Sequence, residues 1–175
     1  TLYFYNKCLK IEVLTVDNHT DGAWIYLKLV RKNPNQARIA LELLKIQGGN
    51  NSGIKIGAVD NYGNVYADQF LRTRPLGNIR NRRFGDIWQD DNNSFLQALR
   101  NRKPLLKGKC QRCNYFVLCN GNFRARAQAV SGDIWGEDPG CYLTEEEIKG
   151  ELPPQNVADP CPTNGRRAPS ILAGN

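Results

Sequence analysis

Four thiols fall within one 32-residue stretch, as Cys110-x2-Cys113-x5-Cys119 and then Cys141 after 21 further residues. So dense a set of soft ligands points to a metal, because thiolates favour zinc or the irons of an iron–sulfur cluster. Cys110 and Cys113 lie one tight turn apart, close enough to share one ion or to reach two neighbouring irons. Four thiolates complete a [4Fe–4S] cube. Structural zinc sites usually pair two tight Cys-x2-Cys knuckles, whereas this chain has a single tight pair and the longer x5 and x21 gaps. The spacing favours an iron–sulfur cluster and leaves zinc as the second reading. Cys8 falls in a predicted helix and reads as a small packed residue. Cys161, between Pro160 and Pro162, could at most substitute for Cys141.

The elements that must position these thiols alternate between helices and short strands. Residues 1–9 read as the end of a helix and Ile11–Val16 as a β-branched strand. Asp17-Asn18-His19-Thr20-Asp21-Gly22 supplies turn and helix-cap residues. Ala23–Arg31 and Gln36–Ile46 read as helices, with Pro34 suited to the first turn of the second. Gly48–Gly53 is a loop. Ile54–Val59 and Asn64–Ala67 read as strands, joined into a hairpin by Asn61-Tyr62-Gly63. Phe84–Leu99 reads as one helix with Ile87, Trp88, Phe95, Leu96 and Leu99 on its apolar face. Residues 151–175 carry five prolines and little periodicity, and are expected to form a flexible tail. The order suits the end of an α/β unit running into a smaller α+β domain.

A length of 175 residues fits one domain, or one domain and part of another, and suffices to bury a core. Six cysteines are too dilute for a secreted disulfide scaffold. The N-terminus has no signal-peptide pattern, and no apolar run reaches membrane-spanning length. The expected location is the cytoplasm, where thiols stay reduced, and no membrane partner is expected. Methionine is absent and the chain starts inside an aromatic run, so it reads as the C-terminal piece of a longer protein. The net charge is +7, and 13 Lys or Arg against three acids lie between Arg72 and Arg126. Such a local excess attracts anions: polycarboxylates, phosphates or nucleic acid.

These residues resemble a known family. The Cys-x2-Cys-x5-Cys run, Asn120-Gly121-Asn122-Phe123-Arg124-Ala125-Arg126-Ala127, Ser131-Gly132-Asp133 and Asp138-Pro139-Gly140-Cys141-Tyr142 look like the C-terminal SPASM or twitch extension of radical SAM enzymes. Val59–Leu71 resembles the hairpin that opens it. Leu76-Gly77-Asn78-Ile79-Arg80 and Phe84-Gly85-Asp86-Ile87-Trp88 resemble its continuation. Asp68-Gln69-Phe70 and Cys119-Asn120-Gly121-Asn122-Phe123 are similar to the NirJ-like branch of haem d1 biosynthesis. The resemblance implies the end of a partial (β/α) radical SAM barrel in residues 1–56. A small α+β SPASM/twitch iron–sulfur domain in residues 57–150 and the tail in 151–175 would follow. A full extension binds two auxiliary clusters. The first takes cysteines near the Gly49–Gly53 loop, five residues after the hairpin glycine and shortly after Cys119; here those places hold no cysteine, and the second is Asp68. The resemblance therefore implies a single auxiliary [4Fe–4S] cluster on Cys110, Cys113, Cys119 and Cys141. Asp68 is at most an oxygen ligand.

The family's Cys-x3-Cys-x2-Cys motif, which holds the cluster that binds S-adenosylmethionine, is not in this chain. The resemblance places that second [4Fe–4S] cluster and the SAM in a missing N-terminal part, so these residues alone would be inactive. It implies an oxidoreductase- or lyase-type radical enzyme that removes propionate side chains from an iron tetrapyrrole of the didecarboxysirohaem type. Flavodoxin or ferredoxin would supply electrons. Arginine forks bind carboxylates bidentately, so Arg124 and Arg126 are candidates for the substrate's carboxylates. His19, the sole histidine, follows the expected barrel strand and is a candidate substrate contact. One alternative is a sister enzyme of the alternative haem pathway that acts on acetate side chains. A peptide maturase fits less well, because those usually keep both auxiliary clusters. A zinc-stabilised nucleic-acid-binding module would explain thiols and arginines together, but the segment lacks aromatics interleaved with basic residues. Nucleic acid is accordingly not an expected partner.

Overall fold

The structure is a computed structural model and describes residues 18–150. The expected helix over 1–9, the strand Ile11–Val16 and the tail over 151–175 lie outside the described residues.

Helix α1 (Thr20–Lys32) buries Thr20, Ala23 and Leu27 on one stripe, with Asp21 in its first turn and Arg31 and Lys32 in its last. Those charges complement the helix dipole. Asn33 ends α1 and starts α2 (Pro34–Gln47): its side chain accepts from the Gln36 N–H, and Pro34 takes the first helical position. Gly48 closes α2 in the left-handed conformation. Both helices run longer than the hydrophobic pattern predicts, because their caps lie outside the apolar periods. Helix α2 buries only Ala37.

A three-stranded antiparallel sheet follows, in the order β1 (Ala58–Val59), β2 (Asn64–Tyr66), β3 (Gly77–Asn78). Ala58 faces Tyr66 and Val59 faces Val65, while Asn64 faces Asn78 and Val65 faces Gly77. The predicted hairpin is present. Asp60 fixes its turn by accepting from the backbone N–H of Tyr62 and of Asn64, each at 2.9 Å. The first strand is shorter than the expected Ile54–Val59, because the N–H groups of Ile54, Lys55 and Ile56 turn back onto the Asn51 carbonyl. Strand β3 has too few residues to leave a period in the sequence.

The single helix expected over Phe84–Leu99 is two, α3 (Phe84–Trp88) and α4 (Ser94–Arg100). Asp90 accepts from the Asn92 N–H, and Asn93 accepts from the Leu96 N–H to cap α4. These short polar side chains offer the backbone an alternative to the helix. The apolar face survives the break, since Ile87, Leu96 and Leu99 are each 0% exposed. With Val65, Ala67, Leu71, Leu76 and Ile134 they form one core; Ala23, Leu27, Leu118, Leu143 and Ile148 form the other.

After a 3-10 turn (Lys103–Leu105) come α5 (Gly108–Arg112), α6 (Phe116–Cys119), α7 (Arg124–Ser131) and α8 (Glu145–Ile148). Helix α8 starts with a capping box between Thr144 and Glu147. Among the described residues no helix is long and apolar enough to cross a membrane.

Candidate metal centre

Short elements deliver the four thiols. Cys110 sits within α5, and Cys113 terminates that helix on extended backbone. The Lys103 ammonium donates to the Gln111 carbonyl at 3.0 Å and lies against those of Cys110 and Cys113, so it caps the end of α5. Cys119 is the last residue of α6, which Asn120 ends in the left-handed region, with Asn122 also at positive φ. Asparagine tolerates that conformation better than most residues. Cys141 follows a turn in which its N–H donates to the Asp138 carbonyl, and the Lys109 ammonium donates to the Cys141 carbonyl at 2.7 Å.

All four line one cavity, with about 410 Å³ of empty space including its solvent-facing mouth. Thr20, Ala23, Leu143 and Ile148 contribute to the walls, so the cavity adjoins the α1 core. No aspartate or glutamate lines it. Burial first, and then the neighbouring thiols Cys113, Cys110 and Cys141, raise the Cys119 thiol to about 12. Cys110 and Cys113 are also raised, chiefly by burial. Backbone N–H groups oppose this: that of Tyr115 points at the Cys113 sulfur at 3.4 Å. Those of Gly121 and Asp138 lower Cys119 and Cys110.

The donor set fits an iron–sulfur cluster: four thiols on one cavity, with backbone N–H groups at three sulfurs. Zinc would need four sulfurs within about 2.3 Å of one point. Among the described residues no group of three or more His, Cys, Asp or Glu is placed to hold a metal ion.

Several residues without a sequence signal hold the Cys119 turn. The Arg102 side chain is 1% exposed and donates to Leu99 O at 2.6 Å, Asn50 Oδ1 at 2.8 Å and Ser52 O at 2.6 Å. Burial first, and then the nearby Arg124 charge, pull its guanidinium down to about 10. Asn50 donates its N–H to Cys119 O at 3.1 Å and accepts at its own carbonyl from Asn120 Nδ2 at 2.7 Å. A lone arginine or asparagine carries no motif, and only the fold shows these partners.

The two places where a fuller pattern would carry cysteines, the Gly49–Gly53 loop and Asp68, meet here. The Ser52 hydroxyl donates to Asp68 Oδ2, and Asp68 Oδ1 accepts from the N–H groups of Phe70 and Leu71, each at 2.7 Å. Asp68 is spent on its own loop.

The other candidate residues are placed differently from the cysteines. Arg126 forms a two-pronged ion pair with Asp138 at 2.6 and 2.8 Å and reaches Asn18 at 3.2 Å. Arg124 is 0% exposed and offers no surface to a substrate carboxylate. His19 precedes α1, and its N–H donates to Asn122 Oδ1 at 2.8 Å. Asn122 Nδ2 also donates to Asn18 and Thr20, which ties the start of α1 to the cysteine loop.

Comparison with known proteins agrees with the motif reading. Residues 55–114 match the SPASM iron–sulfur cluster-binding domain, a span that includes the hairpin, Cys110 and Cys113. An Fe-coproporphyrin III synthase of Methanosarcina barkeri is 50% identical over 151 residues, which is 85% of this chain and 38% of that protein. A pre-heme d1 synthase of Dinoroseobacter shibae is 34% identical over 139 residues, 78% of this chain and 34% of that protein. An AdoMet-dependent heme synthase of Methanosarcina barkeri is 40% identical over 83 residues, 47% of this chain and 22% of that protein. The chain thus spans under two-fifths of the length of the curated relatives it matches. No solved structure matches it significantly.

Proposed function

The chain belongs to the SPASM-domain radical SAM proteins, and from that premise we propose that it holds one auxiliary [4Fe–4S] cluster and serves chemistry on an iron tetrapyrrole. The observation that carries this reading is the cavity on which Cys110, Cys113, Cys119 and Cys141 converge. Such a cluster supplies one-electron transfer when bound. The chain's own residues hold and insulate it. The four sulfurs ligate. The N–H groups of Tyr115, Gly121 and Asp138 stabilise sulfur charge. The α1 core excludes water from one side.

The protein would work with S-adenosylmethionine, a second [4Fe–4S] cluster and a one-electron donor such as flavodoxin or ferredoxin. Helices α1 and α2 would then continue a radical SAM barrel. With Arg124 buried and Arg126 paired to Asp138, the substrate's carboxylates would meet other groups. His19, beside the cysteine loop through Asn122, remains a candidate contact.

Two chemistries divide the relatives. Removal of propionates would make this a haem d1 enzyme. Removal of acetate side chains would give a coproporphyrin. The 50% identity to an Fe-coproporphyrin III synthase, against 34% to a pre-heme d1 synthase, supports the acetate reading. The test is anaerobic turnover of the natural protein with SAM, a reductant and iron-didecarboxysirohaem, with products read by mass spectrometry. Fe-coproporphyrin III supports the acetate reading, and loss of propionates supports the other. Intact tetrapyrrole beside SAM cleavage would overturn both.

A further inference from the structure

Arg124 opens α7, and its side chain is 0% exposed. Its Nη1 donates to the carbonyls of Ile134 at 3.0 Å and Gly136 at 2.7 Å. Its Nε and Nη2 are also buried, and neither meets a hydrogen-bond acceptor of normal geometry among the described residues. Guanidinium is charged at any working pH, so two idle donors in the interior are costly unless an anion lies beside them. Asp138 lies within its field, but its oxygens are engaged elsewhere. They already accept from Arg126 Nε and Nη2 and from the N–H groups of Phe123 and Gly140. The side chain that Arg124 does approach is the Cys110 thiol, and Cys119 is the other sulfur within its field. The guanidinium also stands behind Gly121, a residue of the cavity wall: a Cβ added there would lie 3.5 Å from Arg124 Nε.

We infer that Arg124 presents its Nε–Nη2 edge to the Cys110 sulfur of the bound cluster, holding that ligand in place and setting the cluster's reduction potential. The inference rests on the reading that the four cysteines hold a cluster. Asp138 also lies in its field but is paired to Arg126; a metal-bound thiolate adds a counter-charge beside the unpartnered edge, which a protonated thiol does not. A fixed cation with an N–H aimed at a ligand sulfur stabilises the more negative, reduced cluster, and so raises its potential. Arg102, the second buried guanidinium, already spends its donors on carbonyls and Asn50. It adds field without an idle donor.

The experiment compares the reconstituted chain with Arg124→Gln and Arg124→Lys. It reads iron and sulfide per chain and the midpoint potential by EPR-monitored titration. The Gln variant keeps a donor for the carbonyls but loses the charge, and its potential should fall. The Lys variant should recover most of the shift. Unchanged potential in a fully loaded Gln variant would overturn the inference and leave the cluster reading intact. Absence of iron from the unmodified chain would overturn both. If the Gln variant fails to fold, protein labelled with 15N-arginine decides. Hyperfine spectroscopy of the reduced cluster should show a weak 15N coupling in the unmodified chain that disappears in Arg124→Lys. No 15N coupling in the unmodified chain would overturn the inference.

Discussion

Gly48 and Gly49 give a matched pair for testing how the cysteine loop is held. Both have positive φ, +74° and +66°, so alanine at either costs about 1–2 kcal/mol for the left-handed conformation. Their surroundings differ. A Cβ on Gly48 would have only the Lys45 carbonyl near it, at 3.8 Å. A Cβ on Gly49 would fall 2.3 Å from the carbonyl carbon of Cys119, 2.5 Å from its oxygen and 2.7 Å from its Cα. Those atoms are backbone and cannot rotate away, so one of the two segments must move. Overpacking of this kind typically adds about 1–3 kcal/mol. Gly49→Ala should therefore lose about 2–5 kcal/mol, and Gly48→Ala only the conformational share. With a urea slope of about 1–3 kcal/mol per molar, the two midpoints should separate by roughly 1 M. The movement displaces Cys119, so Gly49→Ala should also retain less iron after gel filtration, while Gly48→Ala loads normally. Urea unfolding followed by circular dichroism, with iron measured on the same samples, reads both. Equal midpoints and equal iron in the two variants would refute the claim that this loop braces Cys119.

Three further outcomes are expected. Asp138→Asn places an amide among four donors and removes the ion pair with Arg126; since Arg126 is about one-third exposed, the loss should be about 2–4 kcal/mol in urea unfolding, and a loss below about 0.5 kcal/mol would contradict the pairing. Asn122→Gly keeps the positive φ but removes the bonds to His19, Asn18 and Thr20, and should loosen the start of α1 as faster amide exchange at residues 20–23; unchanged exchange would show that these bonds do not anchor it. Asp133 and Asp90 are held below the ordinary aspartate range, first by their hydrogen bonds to Lys107 and Arg82 respectively. Depressed carboxylates contribute stability above the ordinary value near about 3.9 and lose it as pH falls through the lower folded value. The Asp90→Asn/Asp133→Asn double variant should thus show a flatter acid limb below about pH 4 in thermal melts, and an unaltered limb would refute the assignment.

Much of the site could be read before the fold. Cysteine spacing identified four thiols that meet on one cavity, because ligand chemistry constrains residue type and spacing together. The α1 and α2 helices and the hairpin could be read from their apolar periods and turn residues. The broken helix at Gln89–Asn93 could not, because its apolar face continues across the break while Asp90 and Asn93 cap locally. The Arg124 and Arg126 roles could not either: a basic residue after a ligand cysteine looks the same whether it faces a substrate, a carbonyl or Asp138. Arg102 and Asn50 reach each other across 52 positions of sequence, and no local pattern encodes such a contact.

The central claim, one auxiliary cluster on four named cysteines, is tested most directly by metal analysis of the anaerobically reconstituted chain. Iron, sulfide and zinc per chain would be measured alongside EPR of the reduced protein. The account predicts about four irons and four sulfides per chain, with a [4Fe–4S] signal lost in Cys113→Ala and in Cys141→Ala. About one zinc per chain with no stable cluster, or full iron in those variants, would contradict it.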